Sequence, residues 1–326
     1  MGVYYLETGS TDPAYNLAFE EYVQAHRLEG NYLILWQNRN AVIIGRNQNA
    51  EAEINREFVD RHGISVIRRN TGGGAVYHDL GNLNYSFITD ASSPESRSAA
   101  PFTTPVVKAL KGLGLEVAAS GRNDILVSGH KVSGTAQHLM KGRLLHHGTL
   151  LFDSDLSTVA GALNPDPTKF QSKSVKSVRS RVGNIRSFLQ QDMALPEFWS
   201  YLKTALADSL IPTNLTPGEL AEVMALKCEK YGTWQWNFGK SPQYDQVSRK
   251  RLSGGLLELH TTVRQGCIQA IKIYGDFLAL TPVDALEQAL TGCIFREDAI
   301  RKVLEMQDLS CLGAVTADEF ISVLLQ

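Results

Sequence analysis

An α+β fold, with mixed and largely antiparallel sheets, flanking helices and a small second α+β domain at the C-terminal end, is what this 326-residue sequence predicts. Three observations carry the prediction. Short runs rich in β-branched and aromatic residues cluster without the strict strand-helix-strand alternation of a doubly wound parallel sheet. Helical patterns sit beside these runs. A stretch rich in Gly, Pro and basic residues, "FGKSPQYDQVSRKRLSGG", reads as a boundary that separates residues 1–245 from residues 246–326. The length accommodates two units, at about 100–200 residues per domain.

The first helix opens in "STDPAYNLAFEEYVQAH", where Asp12 is placed to cap it, Pro13 to start it, and Leu17, Ala18, Tyr22 and Ala25 recur at helical spacing. "NYLILWQN", "AVIIGRNQN" and "GISVIRRN" follow as strands bounded by Asn and Gly. Between the last two, "AEAEINREFVDRHG" reads as one helix closed by Gly63. Then come the strands "AVYHD" and "LNYSFIT", the helix "TTPVVKALKGLG", a strand pair in "NDILVSG" and "HKVSGTAQ", and the strand "LLHHGTLLF". Past the boundary, "LLELHTTV" and "CIQAIKIYGDFL" flank "RQG" as a hairpin, and "VDALEQALTG", "REDAIRKVLEMQ" and a last short helix finish the chain.

Composition narrows the function. With 32 basic and 34 acidic residues the chain carries a formal charge of -2, so nothing global advertises nucleic acid or an anionic membrane, and an electropositive site must be local. The longest apolar runs fall far short of the ~20 residues that cross a bilayer, and "MGVYYLETGS" lacks a basic region followed by an apolar one. All four cysteines (Cys228, Cys267, Cys293, Cys311) lie in the last third, too widely spaced for a CxxC metal site and too few for a disulfide framework. The expectation is a protein of the cytoplasm with no membrane and no nucleic-acid partner, working as a monomer.

Local chemistry concentrates in "RRNTGGGAVYHD", Arg68 to Asp79. Three glycines between two strands expose successive N–H groups and let a ligand approach the main chain, since no Cβ intervenes; an anion or a carboxyl group is the natural guest. No Gly-Lys-Ser/Thr follows, so this is not a Walker A loop. A glycine bulge or a flexible hairpin tip accounts for the glycines alone. Arg68 and Arg69, on adjacent strand positions, point to opposite faces, so one of them accompanies the loop. His78 and Asp79 suit ligand contacts or a surface pair equally.

The second constellation is "GRNDILVSGHKVSGTA", where Lys131 starts a strand after a tight turn and small residues follow it. A lysine beside a turn is ordinarily a solvated charge. "HHGTLLF" places His147 and Thr149 on one strand face. Finally, "KFQSKSVKSVRSRVGNIR" holds six basic residues between Lys169 and Arg186 and no acidic one; it suits a loop that folds over a polyphosphate, or a solvated face. It lacks the aromatic residues an RNA-binding strip stacks on.

Together, "RRNTGGGAVYHDLGNLNYSF", "GRNDILVSGHKVSGTA", "HHGTLLF", "SVKSVRSRVGNI" and "TWQWNFG", in this order and spacing, resemble the bacterial lipoate-protein ligase A family over essentially the whole chain; "NLAFEE" and "VIIGRNQN" agree. The resemblance implies a catalytic domain shared with biotin protein ligases, followed by a small accessory domain. It implies that ATP, with Mg²⁺, activates lipoate to lipoyl-adenylate. The acyl group then passes to a lysine on the lipoyl domain of a 2-oxoacid dehydrogenase E2 subunit or of the glycine cleavage H protein.

By the same resemblance Lys131 is the catalytic cation, and Arg69 adds positive charge at the anhydride. Thr71, Gly72, Gly73 and Gly74 line the acyl-phosphate region, and Val76, Tyr77 and His78 border the nucleotide. Asn123 and Asp124 orient Mg²⁺ and phosphate oxygens, while Ser133, Gly134, His147 and Thr149 complete the substrate contacts. Lys173, Lys176, Arg179 and Arg181 fold over the adenylate. Leu17, Phe19, Trp36 and Ile43 form an apolar tunnel for the dithiolane and its chain, or simply core.

A lipoyl or octanoyl transferase that uses a pre-activated acyl donor is the alternative. Its thioester variety is disfavoured, because no cysteine precedes Cys228. A biotin ligase fits the motifs less well, and a non-catalytic binding module would have no need of Lys131.

Overall fold

The computed structural model describes residues 2–91, 98–120, 123–163, 182–238, 246–264 and 266–325. An eight-stranded mixed sheet dominates it. The strands are β1 (Val3–Glu7), β2 (Asn31–Trp36), β6 (Asn82–Asp90), β7 (Val117–Ser120), β8 (Asp124–Val127), β9 (His130–Met140), β10 (Arg143–Leu151) and β11 (Leu210–Pro212), in the order β11-β1-β2-β6-β10-β9-β8-β7. Only β1 pairs in parallel, with β2 and β11; from β2 to β7 every pairing is antiparallel. A three-stranded sheet of β4 (Ser65–Arg68), β3 (Ala41–Ile44) and β5 (Val76–His78) stands beside it.

Period-two alternation splits the strands between two cores. In β2, Leu33 and Leu35 face one core, which the helices Ala100–Gly112 and Leu195–Ala205 cover with Phe102, Val106, Leu110, Phe198 and Leu202. Ile34 and Trp36 face the other, covered by the helix Pro13–His26. That helix starts as its sequence demands: Asp12 Oδ1 accepts from the N–H groups of Ala14 and Tyr15, with Pro13 at the first helical position.

Two expectations need correction. The single helix after "NQN" is two short ones, Ala50–Glu53 and Arg56–Arg61. Ile54 is extended and buried, bridged to Leu163, and Asn55 then caps the second helix by accepting from Phe58 N–H. Part of the boundary stretch is also ordered structure. Residues 246–252 form strand β12 (Gln246–Leu252), so the expected C-terminal hairpin, present as β13 (Gly255–Arg264) and β14 (Cys267–Gly275), gains a third strand and becomes a meander. The helices Asp284–Leu290, Glu297–Glu305 and Ala317–Leu324 pack on it around a separate core that includes Leu257, Ile273, Phe277, Leu290, Leu304 and Phe320.

The C-terminal domain touches the glycine loop directly. Gly73 N–H donates to Phe277 O at 3.1 Å and Gly275 N–H to Asn47 O at 2.6 Å. Across the seam Arg46 pairs with Asp284 at 3.0 Å. No described helix is long and apolar enough to cross a membrane.

Candidate active site

Where the two sheets and the C-terminal domain meet lies a cavity of about 480 Å³. Its first wall is the loop between β4 and β5. Gly45, just after β3, lets that loop come close: a Cβ there would stand 2.0 Å from Gly73 O. Gly73 itself has φ +88°, a backbone that glycine adopts without strain.

Arg69 holds this loop. Its Nε donates to Thr71 Oγ1 (2.8 Å), Nη1 to Ile43 O (3.0 Å), and Nη2 to Gly72 O (2.6 Å) and Gly74 O (2.8 Å). Four of its five N–H groups are thereby spent on the protein. Burial pushes its pKa down to about 10, so it remains a cation, yet one whose geometry serves the loop. Arg68, on the opposite face as alternation requires, donates to the carbonyls of Gly45, Arg46, Gln48, Trp236 and Asn237 outside the cavity.

Behind the loop runs a buried polar chain. Thr71 Oγ1 lies 2.8 Å from His147 Nε2, His147 Nδ1 lies 2.9 Å from Glu20 Oε1, and Glu20 Oε1 also accepts from Ser86, whose Oγ accepts from Trp36 Nε1 at 2.9 Å. His147 thus bridges the Glu20 carboxyl through Nδ1 and the Thr71 hydroxyl through Nε2. Glu20 is a residue the sequence reading missed. The signal was present: Leu17 and Glu20, three apart, share one side of their helix.

His78 is buried in the same wall, and burial, reinforced by the charge of Arg69, pushes its pKa down to about 3. The ring is neutral. Asn38 accepts from Asn16 through Oδ1, so its Nδ2 donates to His78 Nδ1 at 3.1 Å. The ring hydrogen therefore sits on Nε2, which has no protein partner among the described residues.

The opposite wall is the hairpin of β8 and β9. Ser128 (φ 47°) and Gly129 (φ 79°) make its turn with two left-handed residues, the conformation that tight hairpins favour. Pairing then slips by one residue between Ile125↔Ser133 and Leu126↔Lys131. This bulge turns both Val132 and Ser133 into the core, each 0% exposed, and brings Lys131 and Gly134 to one face. A Cβ on Gly134 would lie 3.4 Å from Lys131 Nζ.

Lys131 Nζ pairs with Asp124 Oδ1 at 2.7 Å. Asn123 Nδ2 donates to Thr135 O, and Thr149 Oγ1 accepts from Gly134 N–H. The main chain of Lys131 is held from outside the hairpin as well, since Gly183 N–H donates to its carbonyl at 3.0 Å.

Most of the expected site residues meet at this cavity. Gly73, Gly74, Val76, His78, Arg69 and His147 line one side, and Asn123, Asp124, Lys131, Gly134 and Thr149 the other, with Leu17, Trp36 and Ile43 at the apolar part. Five are placed elsewhere. Phe19 packs in the helix-side core, and Ser133 faces inward because of the bulge. Tyr77 packs with Val42 and Ile44 and donates to Asn40. Thr71 stands behind the wall, and Gly72 abuts the C-terminal domain, where a Cβ would lie 2.6 Å from Phe277 O. Lys173, Lys176, Arg179 and Arg181 lie outside the described residues. Arg186, from the same basic run, is paired with Asp153 and Asp192.

No described group of three or more His, Cys, Asp or Glu is arranged to hold a metal. A single carboxylate, Asp124, beside the Asn123 amide fits an ion that brings most of its oxygens from water and phosphates, which is how Mg²⁺ is usually held. The four cysteines are free, and none lines the cavity. Arg251, Asp276 and Leu278, which do line it, come from the C-terminal domain, and nothing local in their sequence marks them.

Comparison with known proteins agrees with the geometry. The family described as "Lipoyl protein ligase A/B catalytic domain" matches residues 12–207, and "Bacterial lipoate protein ligase C-terminus" matches residues 241–324. The lipoate-protein ligase LplJ of Bacillus subtilis is 42% identical over 320 residues, covering 96% of this chain and 97% of its own. The crystal structure of P. falciparum LipL1 in complex with lipoate superposes with a TM-score of 0.76 at 26% identity, over 100% of both chains. A lipoate-protein ligase A bound with ATP gives 0.62 at 29% identity, over 73% of this chain and 98% of that one.

Proposed function

We propose that this chain, which belongs to the lipoate-protein ligase family, activates lipoate with ATP and transfers the lipoyl group to a lysine of an acceptor protein. The observation that carries the reading is one cavity with two kinds of wall. An apolar part bounded by Leu17, Trp36 and Ile43 suits the dithiolane and its aliphatic chain, and it opens between bare glycine backbone and Lys131.

The chemistry follows from what must meet there. In the first step a lipoate carboxylate oxygen attacks the α-phosphorus of ATP, the new O–P bond forms, and pyrophosphate leaves. Two anions have to approach, so a cation fixed at their meeting point lowers the barrier; Lys131 has that role. Asp124 orients the ammonium and, with Asn123, is the place for Mg²⁺, which when bound screens the phosphate charges. The His78 Nε2–H, buried in the cavity wall, has no partner among the described residues. In the second step the acceptor lysine amine attacks the carbonyl carbon of the anhydride, the C–O bond to phosphate breaks, and AMP leaves with the electron pair.

The acceptors we assign are lipoyl domains of 2-oxoacid dehydrogenase E2 subunits and the glycine cleavage H protein. We further assign a catalytic domain in residues 1–245, an accessory domain in 246–326, a monomeric enzyme and a cytoplasmic setting. The basic run through Lys173, Lys176, Arg179 and Arg181 would cover the adenylate. The lack of a cavity cysteine speaks against a thioester route.

The deciding experiment is mass-spectrometric detection of lipoyl-AMP and of lipoylated acceptor domain, with and without ATP. Formation of both only with ATP is expected. Lipoylation from lipoyl-AMP without any ATP-dependent synthesis of it would leave a transferase that uses a pre-activated donor.

A further inference from the structure

The motif "TWQWNFG" and the residues just before it fall between the two matched stretches, 12–207 and 241–324, and neither Lys230 nor Trp236 lines the cavity. They grip the glycine loop from outside. Trp236 Nε1 donates to Arg68 O at 2.8 Å, and Asn237 Oδ1 accepts from Arg68 N–H at 2.9 Å. Lys230 reaches two residues further, to Asn70.

Lys230 Nζ lies 2.9 and 2.7 Å from the two oxygens of Glu21 and 2.9 Å from Asn70 Oδ1. An ammonium has three hydrogens, so all three are committed. The Tyr231 hydroxyl donates to the same Glu21 carboxylate at 2.6 Å, and the rings of Trp236 and Tyr231 stand 4.2 and 5.1 Å from the ammonium. A lysine fixed in this way has no hydrogen left for a substrate. What it can do is hold Asn70.

That is where a hold matters. Asn70 is buried, it directly precedes Thr71, and the three residues after Thr71 are glycines with no side chain by which to be anchored. The helix Pro13–His26 serves both residues at the loop's entry: Glu20 reaches Thr71 through His147, and Glu21 reaches Asn70 through Lys230. Two neighbouring carboxylates thus fix two neighbouring loop residues. A loop tied at one point can pivot about it, whereas one tied at two keeps its place. We propose that Lys230 is a positioning residue for lipoate: through Asn70 it sets where Gly73 and Gly74 line the cavity. The proposal rests on the ligase reading above for the identity of the ligand.

The test uses full-length protein, with lipoate affinity measured by calorimetry and lipoyl-AMP formation followed with lipoate, ATP and Mg²⁺. Lys230→Met strands a largely buried carboxylate and is expected to lower the melting temperature, so Asn70→Ala, which leaves the Lys230–Glu21 pair intact, carries the test independently. Each variant should raise the Kd for lipoate by about 10-fold or more, the range for losing a hydrogen bond to a charged group, while KM for ATP stays within about threefold. Lys230→Arg keeps the charge and a donor for Asn70 and should recover part of the loss. The double variant Asn70→Ala/Lys230→Met should bind lipoate within about twofold of the weaker single variant, because both remove one contact. Unchanged lipoate affinity in Asn70→Ala overturns the proposal, and so do losses that multiply in the double variant, since Lys230 would then act by a route other than Asn70. A wild type that binds no lipoate sinks the ligase reading and this proposal together. One that binds lipoate but forms no lipoyl-AMP sinks the ligase reading alone, and the affinities of the variants still decide for or against Lys230.

Discussion

The glycine-loop wall and the Lys131 wall face each other across one cavity and differ in where their polar groups point. On the first, Arg69 directs four donors back at Ile43, Thr71, Gly72 and Gly74, and the Trp36–Ser86–Glu20–His147–Thr71 chain closes on the same loop. On the second, Lys131 and Asp124 make one ion pair, with side chains 37% and 34% exposed. One wall uses its charge to fix a shape. The other keeps its charge available, and a bulge at Val132 is what aims it. A surface that must bind an anhydride and also catalyse its formation has divided the two tasks between its sides.

The largest expected effect breaks the second wall. Lys131→Ala should slow lipoyl-AMP formation by about 10² to 10³-fold, the loss of about 2.7–4 kcal/mol typical of removing an electrostatic contact to developing charge. Its stability should change by no more than about 0.5 kcal/mol, since a partly exposed side chain with one screened ion pair contributes little to folding. Pyrophosphate release and a thermal melt on the same sample measure both. A normal rate, or a melt as damaged as that of a core mutant, would erase the contrast between the walls.

Breaking the first wall should show the reverse order of effects. Arg69→Met keeps the length of the side chain and leaves the carbonyls of Ile43, Gly72 and Gly74 short of a donor, at about 1–3 kcal/mol for each that stays buried and unpaired. We expect a stability loss of at least about 3 kcal/mol by urea denaturation, together with weaker lipoate binding. Full stability with a selective loss of ATP affinity would mean that Arg69 is a phosphate ligand after all, and that both walls work alike.

The contrast between the walls also separates what could be read in the sequence from what could not. The helix capped by Asp12, the strand clusters and the faces of β10 follow from local pattern, because caps and period-two alternation are short-range effects. So His147 and Thr149 fall at the cavity as the alternation predicts. Ser133 faces inward instead of to the cavity because a bulge depends on the partner strand's register, which a single strand's sequence does not carry. Arg69 lines the cavity, and its charge is visible in the sequence, whereas the carbonyls it donates to are not. Arg251, Asp276 and Leu278 could not be read at all, because they reach the glycine loop from about 180 to 200 positions along the chain, through packing between domains.

The smallest expected effect repeats the comparison on one strand. His146 and His147 are neighbours on β10 and therefore face opposite sides of the sheet. His147 joins the glycine-loop wall with both ring nitrogens partnered. His146 turns into the core, stacked 4.9 Å from Phe102, with neither ring nitrogen bonded among the described residues. Burial, with His147 nearby, pushes its pKa down to about 3. The unfolded chain takes up that proton near pH 6.5 and the folded one does not, so between about pH 6.5 and 4 the unfolded state binds more protons and stability falls as pH falls. A single such histidine sets a slope of up to about 1.4 kcal/mol per pH unit. His146→Phe, which fills the same space between Phe102 and Tyr85 without a titrating group, should flatten the acid limb of the stability curve by that amount. It should leave lipoyl-AMP formation near wild type, because the ring does not line the cavity. Urea denaturation from pH 4 to 7, paired with the adenylation assay, checks both halves. An unchanged slope would mean that the imidazole is solvated in the folded state, and a lost activity would mean that the two faces of β10 are coupled after all.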